Sequence, residues 1–228
     1  MCRHVATLFA ILLFTACTTW QSQDAESESL SVSDRLISAL SYCDGRFFQE
    51  MERNKEDLQS FEPFVVKGDV GYFVVKDRNE PRSKFWIFSK ELAGKAKIVG
   101  YVDSFMGLNS LDQYYYWGFL VSGTVEETRK AILPLLYNSK WLREEGGGYV
   151  ISELYDLKQP EYGWMLLNSI KKGTIPFKDT LERFLLIESA GEHYPPGLTL
   201  VNCSLHGQKI PDDILHSLRP DIKLEKIK

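Results

Sequence analysis

Eight short runs rich in Val, Ile, Phe, Tyr and Trp, in two groups of four, constrain this chain more than any other feature. They are Gly71–Lys76, Lys84–Ser89, Ala96–Ser104 and Tyr114–Ser122, then Gly148–Tyr155, Tyr162–Ser169, Glu182–Glu188 and Leu198–Leu205. Asn, Pro, Gly and Asp clusters bound them, as expected of strands. No helical period separates the members of a group, and strands joined without a helix pair antiparallel. A helical pattern precedes each group. Ser31 with Asp34 is an acidic form of the capping box. Leu36, Leu40, Cys43, Phe47 and Met51 then recur at spacings of 4, 3, 4 and 4, which is one helical face. Gly45 costs that helix about 1 kcal/mol relative to Ala and marks a break near it. Thr124 with Glu127 opens the second helix, with Val125, Ile132, Leu135 and Leu136 as its apolar face and Pro134 as a kink or stop. Pro211, beside Asp212 and Asp213, opens a short last helix. The expected class is α+β: an antiparallel sheet of about eight strands in two tandem helix-plus-four-strand units, helices covering one face. The units are 33–123 and 124–228 of a single domain over 33–228.

The N-terminus has a different character. Met1-Cys2-Arg3-His4 is a short basic start, Val5 to Phe14 an apolar run, and Thr15-Ala16 a small pair before Cys17. An apolar run this short does not cross a bilayer, which takes roughly 20 helical residues. It has the parts of a removable export signal, placed at 1–16. Residues 17–32, rich in Ser, Gln, Glu and Asp, are expected to form a flexible tether.

Phe14-Thr15-Ala16-Cys17 resembles the lipobox of bacterial lipoproteins, with Phe14 where that family usually has Leu. The resemblance implies that Cys17 is acylated and anchors the chain to a membrane. Thr18 is not the Asp that holds such proteins at the inner membrane, so the resemblance implies the outer membrane, facing the periplasm. Ordinary cleavage near Ala16, leaving a soluble periplasmic protein, is the alternative.

Export removes Cys2 and the lipid takes Cys17, which leaves Cys43 and Cys203. Two cysteines in an oxidising compartment most simply form one disulfide. It would close a loop of about 160 residues, worth roughly 4–5 kcal/mol by chain-entropy bookkeeping.

The chain without its signal carries 26 Lys and Arg against 31 Asp and Glu, because Arg3 leaves with the signal. The charges are interspersed, which argues against a nucleic-acid surface and a polybasic membrane patch. His193, His206 and His216 lack the spacing of zinc ligands, so no metal site and no cofactor are expected. Cys43-Asp44-Gly45 has a faint likeness to the cysteine of NlpC/P60 cell-wall peptidases. It lacks the following serine and a histidine within the next hundred-odd residues, so Cys43 is assigned to packing or the disulfide. No nucleophile elbow, metalloprotease helix or phosphate loop is present in the sequence, and no catalytic residue is assigned.

Tyr114-Tyr115-Tyr116-Trp117-Gly118-Phe119 is the segment that most invites a functional role. Alternation places Tyr115, Trp117 and Phe119 on one sheet face and Tyr114 and Tyr116 on the other. Tyr and Trp are enriched at interfaces, so Tyr114, Tyr115, Tyr116 and Trp117 are the candidate partner contacts. Packing of both faces is the competing explanation. The loop Gly191–Gly197 is the second candidate surface. The architecture is similar in outline to the β-lactamase inhibitory proteins, an analogy of architecture alone. These features lead to an expected non-enzymatic protein-binding lipoprotein, with immunity against a periplasmic toxic effector as one role. An accessory subunit of an envelope assembly or secretion machine, and an envelope hydrolase with an unfamiliar site, are the alternatives.

Overall fold

The computed structural model describes residues 30–61, 63–80, 84–108, 112–168 and 176–222. The segment expected to be an export signal, Cys17 and most of the segment expected to be a tether lie outside the described residues.

The first helix, α1 (Val32–Leu40), is capped as the sequence predicts, the Asp34 amide donating to Ser31 Oγ at 3.1 Å. The Asp34 carboxylate turns outward and accepts from the Lys95 amide at 2.8 Å, while the Ser33 hydroxyl donates to the Ala96 carbonyl at 2.8 Å. One local motif therefore also ties the helix start to the sheet. The helix stops at Leu40 and resumes as α2 (Arg46–Arg53) after Cys43 takes φ 51°. Gly45 sits in the gap, where a Cβ would lie 2.8 Å from the Ser217 carbonyl oxygen. Close approach of the backbones requires glycine there. The apolar stripe survives the break, with none of Leu36, Leu40, Cys43, Phe47 and Met51 more than 2% exposed. A short turn, α3 (Lys55–Leu58), follows.

Strands β1 (Phe64–Lys67) and β2 (Val70–Phe73) form a separate hairpin, closed by Gly68 at φ 59° and Asp69. The first expected strand thus lies outside the main sheet. That sheet has eight antiparallel strands: β3 (Phe85–Leu92), β4 (Ile98–Leu108), β5 (Asp112–Ser122), β6 (Arg143–Glu145), β7 (Gly148–Asp156), β8 (Met165–Leu166), β9 (Thr180–Ser189) and β10 (Leu198–Gly207). The order is β3-β4-β5-β10-β9-β7-β6, with β8 beside β7. Read outward from the centre, β5-β4-β3 on one side answers β10-β9-β7 on the other. Helix α4 (Val125–Ile132) leads from β5 toward β6 with the full Thr124–Glu127 capping box, and it ends just before Pro134. Helix α5 (Asp212–Leu218) follows β10.

The fold is mixed α+β with an eight-stranded antiparallel sheet. The main core joins Leu36, Leu40, Phe47 and Met51 to odd-numbered strand residues such as Tyr101, Trp117 and Leu205. The Cys43–Cys203 disulfide crosses this core, its Cα atoms 5.3 Å apart and its partners 160 residues apart in sequence. Even-numbered residues form two smaller clusters on the opposite face. One contains Val102, Leu120, Ala190 and Leu200, and the other Val150, Phe184 and Leu186.

Candidate functional site

Strand β5 lies between β4 and β10 near the sheet's centre, so its aromatic run is flanked by strands on both sides. Tyr115 and Trp117 are buried in the main core at 2% and 0% exposure. Trp117 has the Arg219 guanidinium 4.9 Å over its ring. Tyr114 faces the other way but is also buried, its ring centred 4.7 Å from His206. Tyr116 alone of the four candidates opens onto a surface depression, a half-open groove of about 690 Å³. That volume falls within the range of ordinary ligand sites.

The groove is built from three sources. Val102, Ser104 and Met106 of β4, Tyr116 of β5, and Leu200 and Asn202 of β10 form its floor, all at positions that the strand period turns to the even face. Arg78, Asn79 and Lys84, from the connection between β2 and β3, make one wall. The other wall is the β9–β10 loop with His193 and Tyr194, the second surface marked by the sequence. Tyr194 is held by ring contact with Phe85 at 4.8 Å. Burial, with Glu188 adding to it, pushes its phenol up to about 12; burial and then Glu188 do the same to Tyr116. Both phenols therefore remain neutral donors at physiological pH. Met106, 44% exposed, stands at the rim.

Arg78 links the groove to a buried charge cluster. Its Nε donates to Asp103 at 2.6 Å, and Asp221 lies 3.4 Å away. Arg219, fully buried, donates to Asp103 at 3.0 Å and to both oxygens of Asp221 at 2.8 and 2.7 Å. Two cations face two anions. Burial alone would lower the Arg219 pKa, but Asp103 and Asp221 outweigh it and leave it raised. Tyr101 lies nearby, its phenol raised well above its ordinary value by burial and then by Asp103.

Beyond Asn202 the even face of β10 continues with Ser204 and His206, and Glu182 of β9 lies directly across from His206. All four are at most 3% exposed. Among the described residues Asn202 Oδ1, Ser204 Oγ, both His206 nitrogens and Glu182 Oε2 have no hydrogen-bond partner. Burial lowers the His206 pKa to about 4 and raises that of Glu182 to about 7. The alternation of Asn, Ser and His along β10 was visible in the sequence, but the facing Glu182 was not. His206 lies in the interior, at 2% exposure. Among the described residues no three His, Cys, Asp or Glu side chains converge on a point that would hold a metal. No helix among them is long and apolar enough to cross a membrane.

Comparison with family models, with curated proteins and with solved structures finds no significant match to this chain.

Proposed function

We propose that this protein is an envelope lipoprotein, exported, acylated at Cys17 and held at the outer membrane facing the periplasm, that binds another protein through the groove on the even face of its sheet. In this reading the helices cover the odd face and leave the even face to loops. The observation that carries it is the groove's lining, where Tyr116, Tyr194, Met106 and Arg78 belong to the residue types enriched at protein interfaces. Neutralising a toxic effector is one role such a surface serves, and seating the protein in an envelope assembly is another. The export and anchoring part rests on residues 1–17 alone.

Capture of the tagged full chain from solubilised membranes tests the binding reading. Tyr116→Ala should still fold cooperatively, at a lower melting temperature than wild type, and lose the bound partner. Retention of every partner by Tyr116→Ala would remove the groove from the account.

An envelope hydrolase remains the second reading, favoured by one observation: Ser204, His206 and Glu182 adjoin on one sheet face in an order that suits nucleophile, base and orienting acid. Against it stand their burial and the lack of hydrogen bonds between them. Hydrolysis of a broad ester panel that is lost in Ser204→Ala would favour this reading.

A further inference from the structure

The charges that line the groove are unevenly matched. Four lining side chains carry or can carry charge: Arg78, Lys84, Glu188 and His193. Arg78 is matched by Asp103 and Asp221, which it shares with Arg219. Glu188 is already engaged by another group. Lys84 and His193 are left, and neither side chain forms an ion pair or hydrogen bond among the described residues. Lys84 Nζ lies 5.9 Å over the Tyr194 ring, at the weak limit of a cation–π contact. Lys84 is thus a lining cation without an ion-pair partner among the described residues, in a chain whose formal net charge is −4. Asn202 supplies a second, independent observation. It lines the floor at 3% exposure, and its Oδ1 has no donor. A buried acceptor of this kind costs free energy until a donor reaches it.

We infer that the groove takes an extended segment of the partner protein that sets an Asp or Glu carboxylate against Lys84 and His193 and hydrogen-bonds to Asn202. This inference rests on the protein-binding reading above. An extended chain meets the requirements because its backbone N–H groups are donors for an orphan acceptor, while alternate side chains point to opposite walls. One full cation with one histidine beside it suits a single negative charge better than a doubly charged phosphate. The Tyr116 and Tyr194 rings then flank the apolar positions of the segment. Charge at a half-open groove sets orientation and partner choice more than total affinity.

The test uses the purified full chain and fluorescence anisotropy with three labelled hexapeptides of alternating sequence: Glu-Val, Gln-Val and Lys-Val. The Glu-Val peptide should bind saturably, and the Gln-Val peptide about tenfold more weakly. Lys84→Glu should weaken the Glu-Val peptide by at least the same factor and make Lys-Val the better ligand. Lys84→Met, which keeps the apolar stem, guards against a folding defect and should weaken Glu-Val without favouring Lys-Val. The inference is overturned if Glu-Val shows no saturable binding, if Gln-Val binds equally well, or if both Lys84 variants bind as wild type. It is also overturned if free glutamate competes as well as the hexapeptide, because the site would then serve a small molecule. A partner captured from membranes that survives Lys84→Glu but is lost with Tyr116→Ala would leave the protein-binding reading standing and remove the acidic segment from it.

Discussion

Replacing Glu182 by Gln is expected to stabilise the protein at pH 8 and to leave it nearly unchanged at pH 4.5. Burial raises the Glu182 pKa from 4.5 to about 7. A raised carboxylate favours the folded state below the unfolded pKa, and that advantage is lost as pH rises through 7. With each unit worth about 1.4 kcal/mol, ionised Glu182 costs the folded state on the order of 3 kcal/mol at pH 8. Glutamine keeps the shape and carries no charge at any pH. His206 acts in the opposite sense. Burial lowers its pKa from 6.5 to about 4, so its contribution is present above 6.5 and lost as pH falls toward 4. Between pH 4.5 and 6.5 the two slopes oppose, and the pair contributes a nearly flat profile. In Glu182→Gln only His206 remains, so stability should climb between pH 4 and 6.5. In His206→Gln only Glu182 remains, and stability should fall between pH 4.5 and 7. Urea unfolding of the three proteins at pH 4.5, 5.5, 6.5 and 8 reads all of this, with other titrations cancelling in the differences. An equal effect of Glu182→Gln at pH 4.5 and pH 8 would show that Glu182 titrates as an ordinary carboxyl, and the reasoning would fail.

Three further outcomes are expected. Cys17→Ser should abolish incorporation of labelled palmitate and release the protein from membranes, whereas a wild type that takes up no label would contradict the lipid anchor. Thiol titration of unfolded, unreduced protein should find neither Cys43 nor Cys203 free, and their joint replacement by Ser should cost up to about 5 kcal/mol through the 160-residue loop; two reactive thiols would refute the bond. Arg219→Met should destabilise by about 3–5 kcal/mol in urea, because Asp103 and Asp221 would be left buried with only Arg78 between them. A loss below about 1 kcal/mol would mean that water compensates the cluster.

Features whose cause is local were legible in the sequence. Ser31 and the Thr124–Glu127 pair cap helices wherever they stand, and Pro134 stops one. The cysteine pairing followed from arithmetic and from the expectation of an oxidising compartment. What the sequence obscured has a physical reason in each case. Strand β1 is four residues long and follows Pro63, so its signal lay in the Gly68-Asp69 turn and not in its own pattern. Strand β6, Arg143-Glu144-Glu145, is an edge strand with no apolar residue, and Gly146 and Gly147 at φ 58° and 76° form its turn with β7. Among the described residues of the apolar run at 162–169, Met165–Leu166 joins the sheet. The Arg78–Asp103–Arg219–Asp221 cluster joins residues 25 and 116 positions apart, for which no local pattern exists. The aromatic strand was legible as a strand, but its burial was set by β4 and β10 on either side, which only the topology supplies.

Photo-crosslinking in intact cells tests the central claim most directly. A photoreactive residue would replace Met106 at the groove rim, Val66 on the β1–β2 hairpin, or Tyr162, a ring 63% exposed away from the groove lining. The groove account predicts a discrete crosslinked protein from position 106, absent from positions 66 and 162 and lost when Tyr116→Ala is added. A discrete product from position 162 or 66 with none from 106 would contradict it.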